Sequence, residues 1–92
     1  MTKVSIITVC FNSATTIEGT LKSVISQDYS NIEYIIIDGH STDDTLKIID
    51  QYKQKISTLV TEKDEGIYFA LNKGIALATG DVIGILHADD FY

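Results

Sequence analysis

The chain alternates between continuous apolar runs and stretches in which apolar residues recur every three or four positions. The runs KVSIITV, NIEYIIID and DVIGILHA are rich in β-branched residues, a pattern typical of parallel strands that are covered on both faces. The shorter run STLVTE predicts one further strand. Helical spacing lies between the runs, at Ile17, Leu21, Val24 and Ile25, then at Leu46, Ile48, Ile49 and Tyr52, and then at Ile67, Ala70, Leu71, Ile75 and Ala78.

The resulting order of elements, βαβαβαβ, predicts an α/β fold with a mostly parallel sheet between two layers of helices. We expect the first strand to be central. The first helix should end near residues 27 and 28, and Ser41 with Asp44 resembles a capping box at the start of the second. Gly80 is placed to cap the end of the third helix, and Gly74 inside it predicts close packing.

Composition excludes several classes of function. The 92 residues carry a net charge of −6, and all seven basic residues are scattered lysines, so nucleic-acid binding is not expected. Without arginine, a phosphate ligand would have to be held by helix N-termini, lysine or a metal. The lone Cys10 lies in an apolar run and should be a small buried residue. The sequence shows neither a signal peptide nor a membrane-spanning stretch, so we expect a cytoplasmic protein.

Polar residues follow the predicted strands, and Asn12, Asp38, Asp64 and Asp89 all fall at or just beyond strand ends. Parallel sheets bind ligands outside the carboxyl ends of their strands, although such residues are also common in turns. Asp89 and Asp90 are adjacent carboxylates that repel each other and suit a hard divalent cation such as Mg²⁺ or Mn²⁺. A solvated turn is the alternative interpretation of this pair.

Other familiar site motifs are absent from the sequence. It contains no GxGxxG, no GxxxxGK[ST], no CxxC, no HExxH and no GxSxG. His40 and His87 are far apart in sequence, and we expect His40 in an exposed loop, so a zinc site is not predicted.

Four motifs in order, VSIITVCFN, IIIDGHSTDDT, EKDEGIYFALNKGIALATGD and ILHADD, resemble the amino-terminal half of family 2 glycosyltransferases with the Rossmann-like GT-A fold. The resemblance covers essentially the whole chain and rests on the order and spacing of motifs that are weak singly. It implies a nucleotide-sugar-dependent transferase in which residues 1–92 form the donor-binding subdomain. The acceptor site and catalytic base would lie beyond Tyr92, so no catalytic residue is assigned. The 92-residue chain alone, as a truncated part of the enzyme, should be inactive.

The resemblance also implies where a nucleotide sugar would bind. Thr8, Val9 and Phe11 would line the base pocket, with Phe11 packing against the nucleobase, and Asp38 would accept a hydrogen bond from the base edge. His87 stands where the family has the first acid of its DxD motif, which leaves the ribose contact there without a carboxylate.

Further along the chain, Asp64 to Gly66 would approach the ribose and diphosphate. Asp89, the second acid of the DxD motif, would bind with Asp90 the Mn²⁺ or Mg²⁺ that bridges the diphosphate. A metal at this position stabilises the charge that develops on the leaving nucleoside diphosphate.

The sequence departs from the family pattern at three further positions. Val9 replaces a usual proline, which leaves backbone contacts to the base available. His40 replaces a usual glycine, so either its backbone is strained or its imidazole reaches the ligand, and a tolerated replacement is favoured over a functional one. Phe69 occupies a position that is often polar, and we interpret it as helix packing.

The partners implied are a nucleotide-diphosphate sugar, with a UDP-sugar preferred, and a saccharide or lipid-linked acceptor for the full-length protein. Membrane association of the full-length protein is the alternative to a purely cytoplasmic location. Self-association is expected through VIGILHA, because an apolar edge strand tends to pair. A non-catalytic nucleotide-binding or protein-interaction module of the same fold is the competing interpretation. A nucleotidyltransferase is disfavoured because CFNSATT is neither basic nor glycine-rich.

Overall fold

The computed structural model describes residues 2–26, 31–63 and 67–87, except for the side chains of residues 67 and 68. Within these ranges the strands are β1 (Val4–Cys10), β2 (Ile32–Asp38), β3 (Thr58–Thr61) and β4 (Val82–His87). The helices are α1 (Ile17–Ile25), α2 (Thr45–Asp50) and α3 (Ile67–Leu77), and a short 3-10 helix, Lys53–Lys55, follows α2. The predicted order βαβαβαβ is therefore confirmed. None of these helices is long and apolar enough to cross a membrane.

The described strands form one sheet in the order β3-β2-β1-β4, and every pair is parallel. β1 is central, as its continuous apolar run predicts. Cys10 pairs with Asp38, Asp38 with Thr61, and Val9 with His87, so the strands finish level with one another. We call this side of the sheet the carboxyl edge and the opposite side, where the strands begin, the amino edge.

Helices cover both faces of the sheet, as the three-layer prediction requires. Side chains alternate along β2, so Tyr34 and Ile36 pack with α1 and α2, whereas Ile35 and Ile37 pack on the α3 side. All four are almost fully buried. Burial of a large apolar side chain stabilises a fold by roughly 1.5–3 kcal/mol, so β2 is a major source of stability.

α3 packs closely on the sheet through its small residues. Ala70 is buried, and a Cβ atom placed on Gly74 would lie 2.5 Å from Ile7 Cγ2, which confirms the packing role predicted for this glycine. Neighbouring positions are rotated by about 100° around the helix and therefore face away from the sheet. Phe69 is 56% exposed and Ile75 is 45% exposed. The packing roles that the sequence suggested for these two residues are wrong.

The start of α2 differs from the predicted capping box. α2 begins at Thr45, and Asp44 makes no side-chain cap. The Ser41 hydroxyl donates to Asp38 Oδ1, while the Thr45 amide donates to Asp43 Oδ1 at 3.0 Å. The capping-box prediction is wrong because Asp43 takes the role assigned to Ser41.

The other helix ends show one further difference. α1 is described as far as Ile25, and the end predicted at residues 27 and 28 lies outside the described residues. α3 ends at Leu77, so Gly80 is not its cap. The Gly80 amide instead donates to Ser5 Oγ at 2.8 Å. A Cβ on Gly80 would lie 2.7 Å from the Ser5 nitrogen, so close approach to β1 explains this glycine.

A polar network centred on Glu33 holds the amino edge together. Its carboxylate accepts hydrogen bonds from the Ser5 hydroxyl at 2.8 Å and from the Thr79 amide at 2.9 Å, and Lys3 Nζ lies 3.7 Å away. The Thr79 amide, followed by the Ser5 hydroxyl, lowers the pKa of Glu33 below its ordinary 4.5. We call these residues, with Gly80, the amino-edge network.

Candidate functional site

The carboxyl edge brings two loops together, residues 11–16 after β1 (the first loop) and residues 39–44 after β2 (the second loop). The Gly39 amide donates to the Cys10 carbonyl at 2.9 Å, which extends the pairing of β1 and β2 into the loops. A Cβ on Gly39 would lie 3.4 Å from Phe11 Cδ1, so the Phe11 ring rests against the second loop. Phe11 is nevertheless 58% exposed. An aromatic surface is therefore held open beside the strand ends.

The Asp38 carboxylate, at the end of β2, is fully buried. Oδ1 accepts hydrogen bonds from the Ser41 hydroxyl at 2.5 Å and from the Cys10 thiol at 3.4 Å. Oδ2 accepts from the Ser41 amide and from the Thr61 hydroxyl, both at 2.9 Å. A carboxylate has about four acceptor positions, so Asp38 joins the ends of β1, β2 and β3 with all of them. Cys10 is buried as predicted, but its thiol also takes part in this network.

A second set of hydrogen bonds joins the two loops directly, and we call it the clasp. Three consecutive amides of the first loop donate to side chains across the gap: Asn12 to Ser41 Oγ at 2.8 Å, Ser13 to Thr45 Oγ1 at 2.8 Å and Ala14 to Asp43 Oδ2 at 3.2 Å. In the reverse direction, Asn12 Oδ1 accepts from the amides of Thr42 at 2.8 Å and Asp43 at 3.4 Å.

Each loop contains one residue with a left-handed backbone. Asn12 has φ of 46° and His40 has φ of 69°. Asparagine tolerates this conformation, whereas it is costly for most other residues with a Cβ. Of the two alternatives for His40, the strained backbone is therefore confirmed, and its side chain is exposed, as expected. Strained residues that persist are concentrated at functional sites.

The residues predicted to line the base pocket occupy different environments. The Thr8 side chain is fully buried and shares a 2.8 Å hydrogen bond with the Tyr34 hydroxyl, so only its backbone remains for a ligand. Val9 is half-buried and packs on the α3 side of the sheet. His87, the last residue of β4, is half-buried and level with Val9. The strands thus bring Val9, Asp38 and His87 to the same edge, close to Phe11.

Two groups near the carboxyl edge have shifted pKa values. Burial raises the pKa of Tyr34 to about 12, so its phenol stays protonated at neutral pH. The Thr45 hydroxyl, and then the Thr45 and Ala14 amides, lower the pKa of Asp43 below its ordinary 3.8. The lowered pKa favours the ionised carboxylate of Asp43, which suits its role as an acceptor for backbone amides.

Four of the predicted site residues, Asp64, Gly66, Asp89 and Asp90, lie outside the described residues. In the ranges that are described, no group of three or more His, Cys, Asp or Glu side chains could hold a metal ion. The chain enters the predicted metal motif directly from His87 at the carboxyl edge. Paired carboxylates are oxygen donors, and such donors suit Mg²⁺ or Mn²⁺.

Sequence reasoning missed the residues that organise the two loops. Its position after a strand marks Asn12 in the sequence, but the sequence patterns assign no role to Asp43, Thr45 or Thr61. Hydroxyl and carboxylate side chains concentrated in STDDT were the available signal, because such side chains bond readily to loop amides. The partners lie about 30 residues apart in sequence, for example Asn12 and Thr42, so only the paired strands reveal them.

Comparison with known proteins identifies relatives of this chain. The family model described as glycosyl transferase family 2 matches residues 5–92. An uncharacterised glycosyltransferase of Mycobacterium tuberculosis is 41% identical over 95% of this chain and 34% of its own length. An Escherichia coli protein, the UDP-Glc:alpha-D-GlcNAc-diphosphoundecaprenol beta-1,3-glucosyltransferase WfaP, is 40% identical over 100% of this chain and 37% of its own length. The chain therefore spans about a third of the length of these relatives.

A solved structure has the same arrangement. The mannosyltransferase PcManGT from Pyrobaculum calidifontis, in complex with GDP-Man and Mn²⁺, superposes with a TM-score of 0.87 at 30% identity. The match covers 99% of this chain and 28% of that protein. The four-stranded sheet and its helices thus correspond to one part of a larger enzyme.

Proposed function

The chain belongs to glycosyl transferase family 2 and has its GT-A fold, and from this we propose that it forms the donor-binding part of an enzyme that transfers a sugar from a nucleotide-diphosphate sugar. Because the matched relatives are about three times as long, activity is proposed for the longer protein only. The acceptor, a saccharide or a lipid-linked saccharide, and the catalytic base would be bound or supplied by residues beyond Tyr92.

The observation that carries this proposal is the exposed Phe11 ring beside a convergent set of strand ends. An exposed aromatic face offers a base a stacking surface, and stacking of this kind is worth about 1–3 kcal/mol per base. The backbone of Thr8 and Val9 would border the same pocket. Asp38 is proposed to receive the base edge, and for this an incoming N–H group must displace one of its present donors, such as the Ser41 hydroxyl.

Beyond the base, Asp64 to Gly66 and His87 are proposed to border the ribose and diphosphate. Asp89 and Asp90 would hold a divalent cation, which would supply Lewis-acid stabilisation of the departing diphosphate. A relative in complex with GDP-Man and Mn²⁺ supports this assignment, as does a chain without arginine, in which a cation is well suited to neutralise a diphosphate. UDP is the preferred nucleotide of this proposal, and WfaP, which acts on UDP-Glc, supports it.

Calorimetric titration with UDP and with GDP, each in the presence of Mn²⁺, tests the proposal. Phe11→Ala should weaken binding of the preferred nucleotide by about tenfold to a hundredfold, as expected from lost stacking. Phe69→Ala is a matched control, because Phe69 has nearly the same exposure but lies on α3. Equal affinities for the wild type and both variants would contradict the assignment of Phe11.

The metal assignment has its own test. UDP should bind more weakly when Mn²⁺ is removed, and Asp89→Ala should abolish that metal dependence because it removes a carboxylate ligand. Asp50→Ala, which neutralises an exposed acid on α2, should leave the metal dependence intact. Metal-independent binding that Asp89→Ala does not alter would refute the metal site.

We also propose that this 92-residue chain self-associates through β4. In the described part of the sheet β4 pairs with β1 alone, and Val82, Ile83 and Ile85 are about half exposed. Apolar edge strands tend to pair with other strands. Ile83→Lys should shift sedimentation towards the monomer, whereas Ile75→Lys on α3 should not; a wild-type monomer at high concentration would refute the proposal.

A cytoplasmic location stays a prediction, which imaging of the full-length protein would test.

A further inference from the structure

We propose that Asn12 and Asp43 are positioning residues of the nucleotide site, because their side chains lock the first loop to the second and hold Phe11 against Gly39 before any ligand arrives. The inference rests on the proposed function for its ligand, but the loop geometry that it invokes can be measured without one. Neither side chain is assigned a contact with the nucleotide.

The clasp joins the two loops beyond the point where backbone pairing of the strands ends. β1 and β2 end at Cys10 and Asp38, and the ladder continues only as far as the Gly39 amide. Beyond that point the loops are joined by side chains of one loop bonding to amides of the other. Asn12 Oδ1 receives two amides of the second loop, and Asp43 Oδ2 receives the Ala14 amide of the first. The bonds therefore run in both directions.

Phe11 precedes Asn12 directly, so the conformation of Asn12 sets where the exposed ring stands. The left-handed φ of 46° turns the chain immediately after Phe11. The Asn12 amide donates to Ser41 Oγ, and Ser41 in turn donates to Asp38. One continuous path of bonds thus joins the residue beside the proposed stacking surface to the carboxylate proposed for the base edge.

A site that is ordered before binding avoids the entropy cost of ordering it on binding. Fixing the backbone of a loop residue costs on the order of 1–2 kcal/mol. Without the clasp, the first loop would have to be fixed when the nucleotide binds, and affinity would fall although no ligand contact has been removed. We expect a loss of about tenfold for each variant that breaks the clasp.

Two variants break the clasp in different ways. Asn12→Gly keeps a residue that accepts a positive φ but removes the Oδ1 acceptor, so it separates the bonds from the backbone conformation. Asp43→Asn retains an oxygen for the Thr45 amide and presents an NH₂ group to the Ala14 amide, which breaks that bond between the loops. Asn12→Asp restores the acceptor and should recover most of the wild-type behaviour.

Asp44→Asn is the matched control for Asp43→Asn. Asp44 is the next residue, it is exposed, and its side chain makes no cap on α2. The charge change is identical in the two variants. A purely electrostatic effect on a diphosphate would therefore appear in both, whereas an effect of the clasp would appear only in Asp43→Asn.

The test compares these variants by NMR without ligand and by calorimetry with UDP or GDP and Mn²⁺. In the wild type and Asp44→Asn, Phe11 ring protons should show strong cross-peaks to Gly39 Hα and a single ring rotamer. In Asn12→Gly and Asp43→Asn the cross-peaks should weaken and the rotamer should average, while cross-peaks between Ile7 and Gly74 in the core stay unchanged. Nucleotide affinity should fall about tenfold in these two variants alone.

The possible outcomes distinguish a failure of the inference about the clasp from a failure of the proposed function. Unchanged Phe11–Gly39 cross-peaks in both variants would overturn the inference, whatever the nucleotide affinities. Weakened cross-peaks with unchanged affinity for a nucleotide that binds the wild type would also overturn it. If the wild type binds neither UDP nor GDP, the proposed function fails for these nucleotides, and the cross-peaks still decide whether Asn12 and Asp43 position Phe11.

Discussion

The amino and carboxyl edges of the sheet are both joined by polar networks centred on carboxylates, but the two networks leave different surfaces. At the amino edge, the Glu33 carboxylate accepts hydrogen bonds from Ser5 and Thr79 and lies near the Lys3 ammonium group, and Gly80 packs against β1. At the carboxyl edge, Asp38 and the clasp are equally well bonded, yet they support the exposed Phe11. Dense hydrogen bonding therefore does not identify a site by itself. The proposed site differs from the amino edge in its open aromatic surface and in its loop residues with left-handed backbones.

The two edges differ most clearly in the backbone conformation of their loop residues. Asn12 and His40, both with positive φ, lie in the two loops of the carboxyl edge, and no described non-glycine residue of the amino edge shares that conformation. A network that serves stability alone has no need to retain a strained histidine where glycine would fit. This difference supports the proposal that the carboxyl edge is a pre-ordered binding surface and the amino edge a structural joint.

Among the substitutions that test the difference between the two edges, we expect the largest change in stability at Gly80. Gly80→Ala should destabilise the fold by about 2–3 kcal/mol in urea titration, because its new Cβ would meet backbone atoms of Lys3 and Ser5 that cannot move aside. Gly19→Ala on α1, where nothing lies within 4 Å, should be neutral or stabilising by up to about 1 kcal/mol. Equal effects of the two substitutions would show that the amino edge is looser than described.

A smaller effect is expected from Glu33→Gln, which should cost about 1–2 kcal/mol near pH 7 through weakened hydrogen bonds. Because the folded pKa of Glu33 lies below its ordinary 4.5, its carboxylate stabilises the fold fully above that pH, and the contribution is lost as the pH falls through the folded pKa. Unfolding midpoints measured from pH 7 to pH 3 should therefore converge for wild type and variant.

Glu18→Gln is the control for the pH series, since Glu18 is an exposed acid on α1 that lies 3.8 Å from Lys22 Nζ and accepts an exposed hydrogen bond from the Tyr52 hydroxyl at 3.1 Å, which a Gln oxygen can still accept. It should reduce stability by no more than a few tenths of a kcal/mol. If Glu18→Gln and Glu33→Gln gave the same pH dependence, the amino-edge network would have no special role in acid stability.

The smallest change in stability is expected at His40, which lies at the carboxyl edge. His40→Gly should stabilise the fold by up to about 1 kcal/mol, because glycine adopts the observed φ of 69° without a steric penalty. His87→Gly should have the opposite sign, since glycine weakens a strand. Thermal unfolding of both variants measures the difference; a loss of stability in His40→Gly would mean that the imidazole makes a contact worth more than the strain.

The fold could be predicted from the sequence because strands and helices leave local, periodic patterns of apolar residues. Three continuous apolar runs predicted buried parallel strands, and apolar residues at helical spacing predicted the helices that cover them. Gly74 shows how far this reasoning extends, because a glycine inside a helix predicts close packing and Ile7 is indeed adjacent. Gly80 and the Ser41–Asp44 pair show where it fails. Gly80 donates to Ser5, which strand pairing brings close although it lies 75 residues away. Ser41 instead bonds back to Asp38, three residues earlier, at the end of β2.

The site was predictable in its location but less so in its chemistry. Its position at a strand end indicated Asp38, and the family resemblance implied Phe11 and His87. Parallel pairing places Asp38 and His87 at one edge. The sequence could not show that Thr8 is turned inward to Tyr34, or that the acceptors of Asp38 are already taken. Such facts depend on which way a side chain points and on donors contributed by distant loops.

The central claim is that a nucleoside diphosphate binds at the carboxyl edge, and mapping amide chemical shifts during titration with UDP and Mg²⁺ tests it most directly. We predict that amides of the first and second loops, including Phe11, Gly39 and Ser41, shift progressively, while Thr79 and Gly80 at the amino edge do not. Replacing Mg²⁺ with paramagnetic Mn²⁺ should then broaden the carboxyl-edge signals first. Shifts concentrated at the amino edge, or none with either UDP or GDP, would contradict the claim.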